Sequence, residues 1–282
     1  MVFKKRENKK IKIVGIFLLV LVVLTVLGGM FRQYINRKWR EVGRFTVIVV
    51  EENKLIVKSI DPITSEAVAV DLPADLQIST VAGRGEWKVG VLPKLADKYG
   101  NQWLGDSVAN FLGISYTALG SELNWWDKIS WKGLENKAVW KVVPLDKLGY
   151  ITEGLEADSQ KVLGLDSQWN NKVSDLFLSS ELAQEDSSIT VVNSTNIAGL
   201  GSKAARVLGN SGLRVTMVKS EVDLNVDRCE LQLNKIEIET EKVKFIQDVF
   251  DCMIIENDNY SNGEMQLKIG KQFGRFLFGE EV

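Results

Sequence analysis

The rhythm of hydrophobic and polar positions changes several times along this chain, and each change predicts a different element. Ile13 to Phe31, IVGIFLLVLVVLTVLGGMF, runs nineteen residues without a charge. A helix that is apolar on every face does not suit a protein surface, and at 1.5 Å per residue this one spans roughly 28 Å, close to the hydrocarbon thickness of a bilayer. The rival reading is a cleaved signal peptide, whose apolar region is usually about 7–15 residues and ends in an A-x-A-like site. No such site follows here. The pattern therefore predicts an uncleaved transmembrane helix over 13–31. A basic tail precedes it over 1–12, and a polar, basic spacer over 32–44 continues the helix.

Short β signals follow. Phe45–Val50 and Leu55–Ile60 are rich in Val and Ile and flank the turn-like Glu51–Lys54, which predicts a hairpin. Asp61-Pro62 marks a turn, and Ala67–Leu72 adds the third strand of a meander. Val91–Tyr99 and Ser107–Leu112 then carry apolar residues at helical spacing, with Asp106 as N-cap and Gly113 as stop for the second. Asn124–Leu134 sets Trp125, Trp126, Ile129 and Leu134 near one helical face. Such a stripe is expected to be core; its functional alternative is a membrane-surface face. Ala138–Pro144 is one more strand and completes a small mixed α/β domain over 45–148. The pattern loosens from Gly149 to Lys172, which predicts a linker or arm over 149–186, closed by a short helix at Val173–Leu182.

The last hundred residues are the most regular. Strands are predicted at Ile189–Asn193, Leu213–Val218, Cys229–Leu233 and Met265–Ile269, with helices at Gly199–Gly209 and Ile238–Phe250. Strand–helix–strand followed by strand–helix–strand describes an α/β sandwich over 187–282 with its helices on one face of the sheet. The fold class is thus α/β (α+β): an N-terminal transmembrane helix, a small mixed α/β domain and a C-terminal α/β sandwich.

Charge orients this picture. Lys4, Lys5, Arg6, Lys9, Lys10 and Lys12 crowd the N-terminal side of the apolar run, which the positive-inside rule keeps in the cytoplasm. Arg32, Arg37, Lys38 and Arg40 oppose that bias more sparsely, so the expectation is N-terminus in and everything after Phe31 exoplasmic. There a disulfide is permitted. A strand rising from Cys229 and a helix returning to Cys252 cover similar lengths, so the two thiols can meet; two buried free thiols are the alternative. With 35 basic and 37 acidic residues the net charge of -2 gives no reason to expect nucleic acid as a partner. Histidine is absent, which excludes histidine-dependent Ser or Cys triads and the commonest zinc ligand, and no metal site is expected on residue types alone.

Three motifs have plain readings. Gly199-Leu-Gly201-Ser-Lys-Ala204, with Glu221 about twenty residues on, imitates a dinucleotide fingerprint. Ser194–Ala198 separate it from the strand, however, so the glycines are read as a tight turn with close helix–sheet packing. The sequons at Asn193 and Asn259 are too short to carry weight. Asp61, Asp71 and Asp75 lie at strand ends or turns, where carboxylates cap and solvate.

SSITVVNSTNIAGLGSKAARVLGNSGLRVTMV, Ser187 to Val218, resembles the C-terminal domain of LytR-CpsA-Psr envelope proteins. The family pattern V-x-N-x-T, a G-L-a turn, an alanine-rich helix and G-[FL]-x-V falls on Val191, Asn193, Thr195, Gly199, Leu200, Ala204, Ala205, Gly212, Leu213 and Val215. Met265 to Phe273, MQLKIGKQF, is similar to that domain's closing strand. Ser59 to Ser115 looks like a reduced form of the family's catalytic domain. The resemblance implies a protein that moves glycopolymer from a polyprenyl-diphosphate lipid to the cell wall with a divalent cation such as Mg. Arginines would hold the diphosphate, and aspartates would serve metal and base. Within the family's P-R-D motif this chain keeps Asp75 but has Ala74 in the arginine's place, and Glu52-Asn53-Lys54 occupies the region of the R-S-D entry. Arg84 and Lys88 lie nearby, outside the motif. Asn193, Thr195, Gly199 and Leu200 are expected to be structural. The expectation is a non-catalytic, membrane-anchored bacterial envelope protein that binds wall polymer or a protein partner. The alternatives are an active transferase working through Asp75 with a divalent cation, and a scaffold without ligand.

Overall fold

The computed structural model describes residues 3–51, 54–155, 161–184, 186–221 and 226–279, and the side chains of 3–15 and Leu155 lie outside that description, the N-terminal lysine cluster among them. The apolar run lies in helix α1 (Phe3–Ile35). Its Ile16–Ile35 portion is long and apolar enough to cross a membrane, and none of it is buried by the rest of the chain. The helix does not continue through the spacer to Arg44. Glu41 and Gly43 take positive φ values of 66° and 64°, which turn the chain so that Trp39 stacks on Phe45 with ring centroids 4.7 Å apart.

Strands β1 (Phe45–Glu51), β2 (Lys54–Ile60) and β3 (Glu66–Leu72) form the meander that their alternation demands, with Phe45 opposite Ile60 and Ile60 opposite Ala67. Glu52 and Asn53 of the predicted turn, and of the family's strand entry, lie outside the described residues. A small hairpin, β4 (Gln77–Ser79) and β5 (Glu86–Lys88), leads into α2 (Leu92–Tyr99) and α3 (Asn101–Leu112). Then come β6 (Ala118–Leu119), α4 (Trp125–Glu135) and β7 (Val139–Pro144). The five-stranded sheet has the order β6-β1-β2-β3-β7, with both edge strands parallel to their neighbours. Ile48, Leu55, Val57, Val68 and Val70 lie at most 2% exposed in one core with Leu104, Val108 and Leu112 of α3. Each such side chain contributes roughly 1.5–3 kcal/mol by leaving water.

Two helices differ from expectation for identifiable reasons. Helix α3 begins at Asn101, so Asp106 sits mid-helix and not at its N-cap. Trp103 and Leu104 are buried and the Trp103 indole donates to the Val81 carbonyl, which extends the helix toward its N-terminus. Gly113 does end it, at a left-handed φ of 75°. Helix α4 turns two residues of its predicted core stripe outward, Trp125 at 50% and Ile129 at 46% exposed, while Leu134 of the same stripe packs inward as expected. The inward face is Asp127, Trp131 and Leu134, spaced i, i+4, i+7. Asp127 decides this rotation. Its buried carboxylate accepts the amides of Lys38, Trp39 and Asn124, while its own amide bonds to the Asn124 side chain in a capping box.

Where a linker or arm was expected, β8 (Ile151–Leu155) and β9 (Lys161–Leu165) pair as a hairpin. The single helix expected at Val173–Leu182 is two, α5 (Gln168–Phe177) and α6 (Ser180–Gln184). The break occurs where Asp61 accepts the amide of Ser180 at 2.8 Å.

The C-terminal part runs β10 (Ser188–Asn193), α7 (Leu200–Asn210), β11 (Arg214–Ser220), β12 (Glu230–Leu233), α8 (Glu241–Phe250), β13 (Met253–Glu256), β14 (Glu264–Ile269) and α9 (Lys271–Phe278). Its sheet order is β11-β10-β14-β12-β13. The first strand–helix–strand unit is as expected, with β10 parallel to β11. The second closes on β13, parallel to β12, and not on Met265–Ile269. Strand β14 instead takes the centre, parallel to β10 and antiparallel to β12, because Met265, Leu267 and Ile269 give it a fully buried face, whereas β13 has exposed ends and half-buried middle residues. One continuous buried cluster joins the two five-stranded sheets.

Candidate functional site

Helix α3, the loop after it, the end of α8 and the face of α9 enclose a groove of about 560 Å³. Gln102, Asp106 and Asn110 reach it from one face of α3 at four-residue spacing. Phe250, Phe273 and Phe276 line it as well, the first two edge to face at 5.5 Å and the last two stacked at 5.9 Å. Two members of this aromatic wall come from α9, where KQFGRFLF sets Phe273 and Phe276 three residues apart while Leu277 is buried. Tyr116 lies over Gly105, where a Cβ would come within 2.5 Å of the ring, so that position admits only glycine without displacing the tyrosine.

The groove is acidic. The Tyr116 hydroxyl donates to Asp106 Oδ1 at 2.9 Å. Burial pushes the Asp106 carboxyl up to about 6; the tyrosine's hydrogen bond opposes this and the Glu122 charge adds to it. Burial, followed by the Asp106 charge, pushes the Tyr116 hydroxyl well above its usual range. Asp248 is raised by burial against the opposing charge of Arg40, its ion-pair partner at 2.9 Å. Asp251, at the left-handed end of α8, pairs with Arg228. Lys38 is the cationic side chain lining the groove among the described residues. Four carboxylates beside an aromatic wall suit hydroxyl-bearing or amine-bearing ligands: carboxylates accept hydrogen bonds and attract cations, and ring faces pack on the apolar faces of sugar rings. Asp248 and Asp251 are compensated by Arg40 and Arg228, and the two carboxylates not paired with an arginine, Asp106 and Glu122, disfavour a diphosphate, which calls for cationic donors.

The residues singled out in the sequence lie elsewhere. Asp75 is on the surface, its side chain 79% exposed and 3.9 Å from the Lys88 ammonium. Ala74 packs on Gly90, and Arg84 lies over the Tyr99 ring at 4.7 Å. A cationic neighbour and open solvent do not fit Asp75 as a ligand for a divalent cation. Among the described residues no group of three or more His, Cys, Asp or Glu is placed to hold a metal ion.

Asn193 and Thr195 are buried and hold their own loop. The Asn193 Oδ1 accepts from the Thr195 amide and hydroxyl, and its Nδ2 donates to the Ile197 carbonyl. Gly199 has a φ of 77° and Leu200 is fully buried. Gly201 packs closely on Val218 and Asn193, where a Cβ would come within 3.1 and 3.4 Å of their side chains, as a close helix–sheet contact requires, and Glu221 pairs with Lys219. Asp61 is buried and caps backbone, accepting the amides of Ile63, Thr64 and Ser180. Cys229 and Cys252 are bonded as a disulfide, with Cα atoms 4.4 Å apart, joining the foot of β12 to the end of α8 beside the groove.

No family model matches the sequence, and none of the curated proteins matches it either. Solved structures do. The transcriptional regulator yvhJ from Bacillus subtilis is 12% identical with a TM-score of 0.33, covering 47% of this chain and 94% of its own. A LytR-CPS2A-psr family protein, YwtF (TagT) with bound octaprenyl pyrophosphate lipid, is 10% identical with a TM-score of 0.24, covering 73% and 90%. TagV of B. subtilis is 11% identical with a TM-score of 0.23, covering 84% and 95%. At these values residues do not correspond one to one, so the chemistry of this chain is read from its own side chains.

Sequence reading missed Asp106 as a groove residue, together with Tyr116, Glu122, Phe273 and Phe276. Trp103-Leu104 ahead of Asp106 was the available signal that the helix starts earlier, and F-x-x-F in the last ten residues signalled α9.

Proposed function

We propose that this chain is a membrane-anchored protein of the bacterial cell envelope that binds wall polymer in the α3–α9 groove and does not transfer it. The observation that carries the reading is the groove itself, which Phe250, Phe273 and Phe276 line together with Asp106 and its hydrogen-bonded Tyr116. Its chemistry favours a hydroxyl-rich or amine-bearing polymer segment over a diphosphate headgroup. The apolar helix and the charge asymmetry around it support an anchor with the folded part outside, and a disulfide beside the groove suits that compartment. The resemblance to LytR-CpsA-Psr proteins supplies the wall-polymer context. Exposed Asp75 beside Lys88, with Ala74 in the arginine position, argues against turnover.

Two measurements test this. The detergent-solubilised protein should be retained on isolated cell walls and lose retention with Phe273→Ala and Asp106→Asn together; retention no better than an unrelated protein would refute polymer binding. Pyrophosphate release from a lipid-linked glycopolymer, abolished by Asp75→Ala, would establish transfer instead.

A further inference from the structure

Helix α4 is attached to the end of the apolar helix. The Trp126 indole donates to the Met30 carbonyl at 3.0 Å, and the Asn124 amide group donates to the Gln33 carbonyl at 2.9 Å. Tyr34 meets Trp126 edge to face at 5.8 Å, and Trp125 meets Trp126 at 4.8 Å. These contacts set the first turn of α4 level with Met30–Tyr34, where the charge-free run ends at Phe31 and Arg32 begins. In a bilayer that level is the headgroup boundary, where Trp and Tyr collect.

The outward face of α4 continues the same surface. Trp125, Lys128, Ile129 and Lys132, at i, i+3, i+4 and i+7, are all exposed and share one face. The helix's one acidic residue in its first two turns, Asp127, is buried on the opposite side. An aromatic and an aliphatic side chain flanked by two lysines is the surface of an interfacial helix on anionic lipid.

We infer that α4 is a membrane seat: Trp125 and Ile129 insert among the acyl–headgroup boundary of the bilayer that α1 crosses, and Lys128 and Lys132 contact anionic phospholipid phosphates. The inference rests on the anchor reading given above. It adds that the folded part is held against the membrane at a fixed height and does not swing on a tether.

The test uses the full chain in nanodiscs. Both native cysteines are in the disulfide, so introduced thiols are labelled selectively. A fluorescent label is placed at Phe31→Cys in the anchor, at Ile129→Cys, or at Val50→Cys, which lies five residues and about 17 Å along β1 from Phe45. Lipids brominated near the headgroup serve as quencher in phosphatidylcholine containing phosphatidylglycerol. Quenching at Ile129→Cys is expected to approach that at Phe31→Cys and to exceed Val50→Cys several-fold. Adding Lys128→Glu and Lys132→Glu should bring it down toward the Val50→Cys value. Strong quenching at Phe31→Cys with equal, weak quenching at the other two overturns the membrane seat while leaving the anchor intact. No quenching at Phe31→Cys overturns the anchor itself. Quenching at Ile129→Cys that is indifferent to the lysine changes overturns the assignment to anionic headgroups.

Discussion

The Trp126 indole and the Met30 carbonyl, 3.0 Å apart, link a helix of the folded part to a residue nearly one hundred positions earlier in the apolar helix. Met30 precedes the end of α1 by about one and a half turns. Together with the Lys38 and Trp39 amides donated to Asp127, the bond holds the polar segment Asn36–Arg44 as a closed loop. Trp126→Phe keeps an aromatic ring against Tyr34 and removes the donor. A loss of about 1 kcal/mol corresponds to roughly a fivefold larger open population. Trypsin cleavage at Arg37, Lys38 or Arg40 in detergent-solubilised protein should rise by that order, and an unchanged rate would show that the bond does not hold the segment.

Arg44 and Asp61 form a buried pair, 3.6 Å apart with side chains 7% and 1% exposed. Arg44 also donates to Ser59, to the Glu66 carbonyl and to the Leu178 carbonyl, which ties β2 and β3 to the chain before α6. Burial lowers the Arg44 pKa, and the charges of Asp61 and Glu66 oppose that. For Asp61 burial acts upward, but the amides of Ser180, Ile63 and Thr64 outweigh it and hold the carboxyl below its ordinary 3.8. A carboxyl depressed in the folded state stabilises fully above its unfolded value and loses that contribution as pH falls through the folded one. Resistance to urea should therefore fall below about pH 3.8 in the native protein and less so in Asp61→Asn, which is already less stable at neutral pH. Arg44→Ala removes the ion-pair partner and the hydrogen bonds to Ser59, Glu66 and Leu178 but leaves Asp61 its three amides, so the loss should be smaller than the ~3–5 kcal/mol of an uncompensated buried charge.

Asp106 behaves oppositely. Its folded carboxyl is raised to about 6, so folding favours the protonated form and this group's contribution declines as pH rises from its ordinary 3.8 toward 6. Above that the ionised carboxylate is available as an acceptor and as an anion in the groove. Retention on walls should accordingly strengthen as pH rises through about 6, and Asp106→Asn should flatten the profile. A profile that does not change in Asp106→Asn would remove this residue from binding.

The Cys229–Cys252 disulfide closes a loop of 23 residues that contains all of α8. In the chain-entropy account a loop of this length contributes roughly 3 kcal/mol. Replacing both cysteines by serine should lower the urea midpoint by a corresponding amount and make it insensitive to reductant. Mass spectrometry of the unreduced native protein should find no free thiol; two free thiols would contradict the pairing.

What the sequence makes legible here is local. The charge-free run, the Val-rich meander of β1–β3 and the strand–helix–strand of β10–α7–β11 follow from periodicity within short windows. What it hides is decided at a distance. Asp127 turns α4 outward because its carboxylate meets amides of Lys38 and Trp39, almost ninety residues away, a contact that no helical wheel contains. Strand β14 wins the sheet centre over β13 by competition between two apolar runs. The groove is lined from both α3 and α9, some 160 residues apart in the chain, so the sharing of one groove by Asp106 and Phe273 has no signature at either position. Asp75 stood out through resemblance, yet it lies beside Lys88 in solvent.

The account stands on the folded part lying outside the cytoplasm while α1 crosses the membrane. Paired reporters fused after Val282, one active only outside the cytoplasm and one only inside, measure this directly in living cells. The expected result is activity from the outside reporter and silence from the inside one. Activity of the inside reporter, or release of the whole chain as soluble protein, would contradict it.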